Sequence, residues 1–235
     1  MAERGRMKRF WSEVTVDAER VVRLDDRPVR TPGRTPLALP TPALAEAVAE
    51  EWRSVGETVD PRAMPLTGLA NAAIDRIAAD PVPFATGLAR YAESDLLCYR
   101  ADSPPELVAR QDAVWNPLLD WARDRYDVHF ALVTGIMHRP QPKATVERLS
   151  AAVAALDPFR LAALSPVVTI TGSLVLALAL LEGAADTNAI WTAAHVDEDF
   201  QAEQWGEDYL ALEAREAKRR EFDAAVRFLS ALELG

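Results

Sequence analysis

The sequence PVVTITGSLVLALALLEG, residues 166–183, contains the longest apolar stretch of the chain. It predicts one helix over residues 166–182, which Ser165-Pro166 begins and Gly183 ends, because proline suits a first helical turn and glycine a left-handed helix end. About 15 apolar residues of helix rise only about 22 Å, less than the roughly 30 Å hydrocarbon core of a bilayer. We therefore expect a helix buried inside a helical bundle and no membrane insertion.

Helical periodicity extends from this stretch in both directions, from residue 66 almost to the end of the chain. Apolar residues recur at helical spacing between capping residues, prolines and glycines, which are the usual start and stop signals of helices. The predicted helices cover residues 66–79, 82–92, 105–125, 144–155, 166–182, 187–212 and 214–232. Residues 66–235 are thus predicted to form a helical C-terminal domain.

The first forty residues have a different pattern, in which short β-prone runs alternate with prolines and with turn residues such as Asp25-Asp26. They predict a small β-meander. Thr41-Pro42 then begins one helix, because threonine caps free amides and proline suits the first helical position. A proline-bounded connector, residues 60–65, marks the predicted domain boundary. The predicted fold class is α+β: a small N-terminal β-rich domain, residues 1–65, followed by a larger all-helical C-terminal domain, residues 66–235.

The composition excludes several classes of function. The 235 residues include 26 basic and 36 acidic side chains, for a net charge of -10, and the basic ones are scattered. A protein that coats nucleic acid needs clustered lysine and arginine, so we expect no nucleic-acid partner. Cys98 is the only cysteine, which excludes an intramolecular disulfide and a thiolate zinc site. Within the apolar run of residues 95–99 it is predicted to be a buried small side chain.

The motifs of common catalytic sites are absent. The ten glycines are dispersed and form no phosphate-binding loop, and the three histidines form no H-E-x-x-H pair. His195 and Glu198 are three residues apart, so on one helix they would share a face. Di-iron bundles use two Glu-x-x-His pairs, whereas here the order is reversed and no second pair is present. A small-molecule or metal-dependent enzyme with a site near His195 and Glu198 stays open as the alternative function.

The predicted helix 187–212 carries a mixed stripe of side chains at spacings of three or four. Its members are Trp191, His195, Glu198, Ala202, Trp205, Tyr209 and Leu212. Glu198 occupies a position where an apolar side chain is expected, and a buried carboxylate needs a partner. One interpretation is an internal salt bridge or capping bond with an arginine such as Arg76 or Arg90. The other is a carboxylate displayed in an aromatic-edged groove for a basic or amide group of another protein.

The segment QWGED, residues 204–208, interrupts the same helical pattern with a glycine. Gly206 in a helix interior costs about 1 kcal/mol relative to alanine, so the position needs an explanation. Close approach of another backbone would explain it, and so would a local bend.

Motifs spread over nearly the whole chain resemble, in the same order, those of one family. They are Arg9-Phe10-Trp11, Leu24-Asp25, Arg27-Pro28-Val29, Thr31-Pro32, Leu39-Pro40-Thr41, Glu51-Trp52, Asp60-Pro61, Met64-Pro65-Leu66-Thr67, Asn71, Ile74-Asp75, Tyr91, Ser94-Asp95-Leu96-Leu97-Cys98-Tyr99-Arg100, Gln111, Trp115-Asn116-Pro117-Leu118, Gly172-Ser173, Asp197-Glu198, Gln201 and Trp205-Gly206-Glu207-Asp208. The chain resembles the ATP synthase assembly chaperones that bind the alpha subunit of the catalytic head.

This resemblance implies a chaperone with no enzymatic activity and no cofactor. It also implies the two-domain architecture predicted above and points to Glu198 as functionally important. One residue departs from the family pattern, since Asn116 stands where aspartate is expected, which weakens any role for a carboxylate there. Eukaryotic members work in the mitochondrial matrix behind a targeting extension. We read no such segment at the start of this chain and expect a bacterial, cytoplasmic member.

We therefore expect the protein to bind the unassembled alpha subunit and to shield its beta-facing surface until assembly. The residues expected to contact this partner are Glu198, Gln201, Trp205, Glu207 and Asp208. The free protein is expected to be a monomer, and a subunit that stays in the finished complex is a further alternative.

Overall fold

The computed structural model describes residues 7–135, 139–206 and 209–233. The strands in these residues are β1 (Val14–Val16), β2 (Val22–Leu24), β3 (Arg27–Pro28), β4 (Tyr99–Arg100) and β5 (Val133–Thr134). The α-helices are α1 (Pro42–Arg53), α2 (Pro65–Ala72), α3 (Pro81–Ala89), α4 (Pro105–Tyr126), α5 (Lys143–Ala154), α6 (Pro158–Thr171), α7 (Leu174–Leu181), α8 (Thr187–Ala194), α9 (Val196–Trp205) and α10 (Tyr209–Glu233). A small strand region precedes a larger helical part, which confirms the predicted α+β class.

Packing divides the chain into two compact units. The first unit consists of Met1–Pro81, Asp157–Ala163 and Asp223–Gly235. The second consists of Val82–Leu156 and Leu164–Phe222. The domain boundary expected near residue 65 stays a prediction.

The first unit contains the predicted β-meander. Strands β1, β2 and β3 form one antiparallel sheet, with Val14 paired to Leu24 and Val16 paired to Val22. The tight turn between β2 and β3 passes through Asp25, whose φ of 49° lies in the left-handed region that aspartate tolerates. The Asp25 carboxylate accepts hydrogen bonds from the backbone N–H groups of Ser12 and Glu13, so it holds the turn against the residues before β1.

Capping bonds fix the helices of the first unit. Thr41 begins α1 as predicted: its Oγ1 accepts from the Leu44 N–H at 3.2 Å and donates to the Ala231 carbonyl at 2.6 Å. The Glu51 carboxylate accepts from the N–H groups of Leu66 and Thr67 at 2.7 and 2.8 Å, so a side chain of α1 caps the start of α2.

A close polar contact joins the loop after β3 to the π-helical turn Ala73–Ile77. The Thr31 hydroxyl donates to Asp75 Oδ1 at 2.6 Å, and the Gly33 N–H donates to Asp75 Oδ2 at 2.7 Å. A Cβ atom on residue 33 would lie only 2.6 Å from Asp75 Oδ1. Glycine is therefore needed here for close approach.

In the second unit, the prediction of one helix over residues 166–182 is wrong. The apolar stretch is divided between α6 and α7 at Gly172, which has a φ of 66°, and the Ser173 hydroxyl caps α7 by accepting from the Leu176 N–H at 3.0 Å. The predicted start at Ser165-Pro166 is wrong as well. Helix α6 already begins at Pro158, and Pro166 lies inside it. The Asp157 carboxylate caps this start by accepting from the N–H groups of Phe159 and Arg160.

The predicted burial of this stretch is confirmed, since Leu174–Ala179 are all buried. Helix α7 packs against α4 and α8 in the core of the second unit. Cys98 is also fully buried, as predicted. None of the helices in the described part of the chain is long and apolar enough to cross a membrane.

Candidate functional site

The predicted helix 187–212 is wrong as one element, because the chain bends twice within it. Helix α8 ends at His195, whose φ and ψ of −121° and 19° are not helical, and α9 starts at the next residue. Helix α9 ends at Gly206, with a φ of 84° and a ψ of 169°. The predicted stripe from Trp191 to Leu212 therefore does not run along one helix. The first turn of α9 is acidic, which favours a separate helix start through the helix dipole.

Gly206 is explained by its backbone conformation. A positive φ strains any residue with a Cβ atom, and glycine adopts it freely. A Cβ atom added there would have no described heavy atom of another part of the chain within 4 Å. Close approach of a neighbouring helix of the described chain is therefore wrong as the explanation, and close approach of a partner's backbone stays a prediction. What the structure shows at Gly206 is the end of α9 in a non-helical conformation.

Three large apolar side chains are exposed where α9 ends and α10 begins. The exposed fractions are 80% for Trp205, 74% for Tyr209 and 69% for Leu210. Beside them lies a groove of about 430 Å³ between α9 and the start of α10, lined by residues that include Glu198, Gln201, Ala202, Trp205, Leu212 and Lys218. Exposed apolar side chains concentrated next to a groove are typical of an interaction surface. We call Glu198, Gln201, Trp205, Tyr209 and Leu210 the α9 surface.

Glu198 differs from the other carboxylates of α9. Asp197, Asp199 and Glu203 each have a partner within the second unit, namely Gln111 at 2.7 Å, Arg215 at 2.5 Å, and Arg110 at 2.8 and 2.7 Å, respectively. Glu198 is exposed and forms no ion pair or hydrogen bond with any described residue. The interpretation of Glu198 as an internal salt-bridge residue is therefore wrong for the part of the chain that the structure describes.

His195 is buried at the junction of α8 and α9. Its ring stacks on Trp191 with centroids 4.0 Å apart, and its Nδ1 lies 2.8 Å from the Trp191 carbonyl oxygen. Burial lowers the pKa of His195, while the contact with the Trp191 carbonyl and the charge of Glu198 oppose that shift. The ring is thus a packed, neutral group at neutral pH.

No metal-binding cluster is present among the described residues, where no three histidine, cysteine, aspartate or glutamate side chains come together. His138 lies outside those residues. The described residues near His195 and Glu198 thus offer no set of three metal ligands, and the alternative of an enzyme site there stays a hypothesis.

Helix α4 contacts the α8–α9 junction with two side chains. The Trp115 indole donates from Nε1 to the carbonyl of Ala193 at 2.7 Å. The Gln111 amide donates from Nε2 to Asp197 Oδ1 at 2.7 Å, and its Oε1 accepts from the Ala101 N–H at 2.8 Å. Both side chains are 1% exposed. The bend that separates α8 from α9 is therefore held on both sides by hydrogen bonds from buried side chains of α4.

A buried arginine supports this part of α4. The Arg100 guanidinium donates to Asn116 Oδ1 at 2.9 Å and to Asp112 Oδ1 at 3.1 Å, and lies 5.1 Å above the Trp115 ring. Asn116, which stands where the family pattern has aspartate, thus still provides a side-chain oxygen that accepts a hydrogen bond from Arg100. The carboxylate in this contact comes from Asp112 instead.

Asp95 is fully buried and joins two segments of the second unit. Its carboxylate accepts from the Ser173 hydroxyl at 2.7 Å, the Val175 N–H at 2.9 Å and the Leu97 N–H at 3.1 Å. Burial raises the pKa of Asp95 to about 6, although these hydrogen bonds favour the ionised form. Burial, helped by the charge of Asp95, also raises the pKa of the Cys98 thiol to about 12.

The structure brings together three of the five residues predicted to contact a partner, since Glu198, Gln201 and Trp205 line the same groove. Glu207 and Asp208 lie outside the described residues. Leu210 is not among the predicted stripe residues. It lies on α10, a new helix that starts at Tyr209, so the residue spacing of α9 does not predict its position. A role of any of these residues in partner binding stays a prediction.

Comparison with known proteins gives concordant results. A family model described as ATP12 chaperone protein matches residues 8–123. The mitochondrial protein atp12 of Schizosaccharomyces pombe is 24% identical over 236 residues, which cover 93% of this chain and 81% of the relative.

Two solved structures of Atp12 from Paracoccus denitrificans have the same fold. One is a mutant with lysine in place of an aspartate; it is 42% identical with a TM-score of 0.92. The other is 41% identical with a TM-score of 0.90. Each match covers 96% of this chain and 98% of the solved chain. Identity at this level over almost the full length of both chains shows that the protein belongs to the ATP12 chaperone family.

Proposed function

We propose that this protein is an assembly chaperone of ATP synthase, which binds the unassembled alpha subunit of the catalytic head and shields its beta-facing surface until assembly. Membership of the ATP12 chaperone family and the sequence motifs described above support the proposal. The observation that carries it is the α9 surface, where Trp205, Tyr209 and Leu210 are exposed and Glu198, which has no ionic partner among the described residues, lines the same groove as Trp205.

The mixed character of the α9 surface fits a contact that must later be released. A subunit waiting for its neighbour exposes an apolar interface, and such patches drive aggregation. A chaperone that covers this patch has to leave when the beta subunit competes for it, so the contact should be partly polar and of modest affinity. The aromatic side chains would supply apolar contact area, and Glu198 would pair with a basic or amide group of the alpha subunit.

The direct test is co-expression of the alpha subunit with and without this protein. We expect more alpha subunit in the soluble fraction, and capture of alpha but not of assembled catalytic head on the immobilised protein. Equal amounts of soluble alpha in both cultures, together with no capture, would refute the proposal.

A charge reversal tests the role of Glu198. Glu198→Lys should weaken capture of the alpha subunit by about tenfold or more, because loss of a charged contact at an interface costs about 1.5 kcal/mol or more. Its fold should stay intact because the side chain is exposed, with a loss of stability of only about 0.3–1 kcal/mol from a positive charge in the first turn of α9. The matched control is Glu147→Lys on α5, an exposed glutamate remote in sequence that forms a surface ion pair with Lys143. Equal capture by both variants would remove Glu198 from the contact.

We also propose that the protein works as a free monomer in the bacterial cytoplasm; the bacterial source of the two solved relatives supports the bacterial part of this proposal. Light scattering of the purified protein tests the monomer, and a stable oligomer at micromolar concentration would contradict it. The enzyme alternative has its own test in elemental analysis, where stoichiometric metal in the purified protein would favour it.

A further inference from the structure

We infer that Gln111 and Trp115 of α4 are positioning residues, which fix the bend between α8 and α9 and thereby aim the α9 surface at its partner. The part of this inference that concerns partner binding rests on the proposed function. The geometry of the bend does not depend on it.

The two side chains act from one face of α4, because residues four apart in a helix lie one above the other. They contact the chain on either side of the bend at His195, Trp115 through the carbonyl of Ala193 and Gln111 through the carboxylate of Asp197. One bond therefore fixes the last turn of α8 and the other the first turn of α9.

Helix α9 depends on such contacts for its orientation. It has only ten residues and ends at a glycine, and an isolated helix of this length is marginal in water. Val196 and Phe200 form its buried side, whereas Glu198, Gln201 and Trp205 line the groove. Each residue of a helix turns the chain by about 100°, so a slip of one residue at the bend would turn Glu198 and Trp205 away from the groove.

The Gln111 side chain can donate to Asp197 in only one orientation, because both ends of its amide have partners. Its Oε1 accepts from the Ala101 N–H, so the Nε2 donor must point to Asp197. Replacement by glutamate keeps the shape and the bond from Ala101 but places a second carboxylate 2.7 Å from Asp197. Two carboxylates at that distance repel each other. An asparagine at 197 would restore the hydrogen bond, because its amide could donate to the carboxylate of Glu at 111.

The test is a double-mutant cycle of Gln111→Glu and Asp197→Asn. Gln111→Glu should weaken capture of the alpha subunit about tenfold, Asp197→Asn should leave it within about twofold because the Gln111 amide can still donate to Asn Oδ1, and the double variant should recover most of the loss. Global urea unfolding should be measured for all four proteins. Loss of capture in Gln111→Glu with no recovery in the double variant would refute the inference, as would equal losses in the two single variants, because Asp197 would then contact the partner itself.

Hydrogen exchange provides a readout that needs no partner. In Gln111→Glu, amides of residues 196–205 should exchange about tenfold faster while those of α7 remain unchanged, and the double variant should regain protection. Unchanged exchange over 196–205 in Gln111→Glu would refute the positioning role even if the alpha subunit is captured. Failure of the parent protein to capture alpha would instead refute the proposed function and leave this exchange test valid.

Discussion

Replacement of Asp95 by asparagine should change stability by an amount that depends on pH. The carboxylate is fully buried, and burial raises its pKa from the ordinary 3.8 to about 6. The folded protein thus holds this proton more tightly than the unfolded chain does. Linkage then requires that the contribution of Asp95 to the free energy of unfolding falls as the pH rises from below 3.8 through about 6.

The size of the effect follows from the shift. The full difference of about two pKa units corresponds to about 3 kcal/mol, and about 2 kcal/mol of it lies between about pH 4.5 and about pH 8. Asparagine cannot ionise, so it lacks this pH-dependent contribution to the free energy of unfolding. It retains one oxygen for the Leu97 N–H and the Ser173 hydroxyl, but its NH₂ group would face the Val175 N–H, an unmet contact that costs about 1–3 kcal/mol at every pH.

Asp95→Asn should therefore be clearly destabilised at about pH 4.5, and closer to the parent protein by about 2 kcal/mol at about pH 8. The assay is urea unfolding at low protein concentration, because the sequence pI of about 4.9 disfavours solubility near the acidic condition. Titrations common to both proteins, such as that of His195, cancel in the comparison. Asp124→Asn, an exposed position on α4, is the control and should show the same small effect at both pH values.

A destabilisation of Asp95→Asn that is equal at both pH values would refute this reasoning. It would mean that the donors from Ser173, Val175 and Leu97 keep Asp95 ionised in the folded protein throughout the range. A larger destabilisation at about pH 8 than at about pH 4.5 would give the same conclusion more strongly, since the carboxylate would then be stabilised by its surroundings.

Two further predictions concern the exposed aromatic group and the glycines. Trp205→Ala should weaken capture of the alpha subunit by about 30-fold or more, as expected for a central aromatic contact worth about 2 kcal/mol, and should leave the unfolding temperature unchanged. The control is Val82→Ala, which also truncates an exposed apolar side chain. Equal capture by the two variants would contradict the role of Trp205. Gly33→Ala should lower the free energy of unfolding by about 1–3 kcal/mol, because its Cβ atom would collide with Asp75. Gly68→Ala inside α2, where a Cβ atom meets nothing, should raise the free energy of unfolding by about 0.5–1 kcal/mol. Thermal unfolding measures both changes, and the same sign for the two variants would contradict this explanation.

Local signals in the sequence predicted much of the fold. The cap at Thr41, the turn at Asp25 and the helix end at Gly183 depend on neighbouring residues, and the structure has all three. The errors came from local signals in the same region that the prediction overlooked. Asp157 starts α6 eight residues before the expected Ser165, and Gly172 with Ser173 divides a run whose hydrophobicity is continuous. An apolar run reports burial but does not show where a buried helix bends.

The candidate site was only partly predictable for a related reason. Periodicity placed Glu198 and Trp205 on one face, which the structure confirms within α9. It could not show that Asp199 and Glu203 have arginine partners whereas Glu198 has none in the described ranges, because those partners come from α10 and α4. Asp95, Arg100 and Gln111 were visible as parts of sequence motifs. Their common role as buried hydrogen-bonding groups depends on tertiary contacts that no local pattern specifies.

The burial of Cys98 gives the second unit a built-in chemical reporter. The thiol is the only one in the chain, solvent does not reach it, and its pKa of about 12 leaves almost no thiolate at neutral pH. Thiol-directed reagents thus do not reach this sulfur in the native protein, and intermolecular disulfides cannot form without prior opening. Any modification at this sulfur would record an excursion of the surrounding core, so the rate of labelling measures how often that core opens, without an engineered probe.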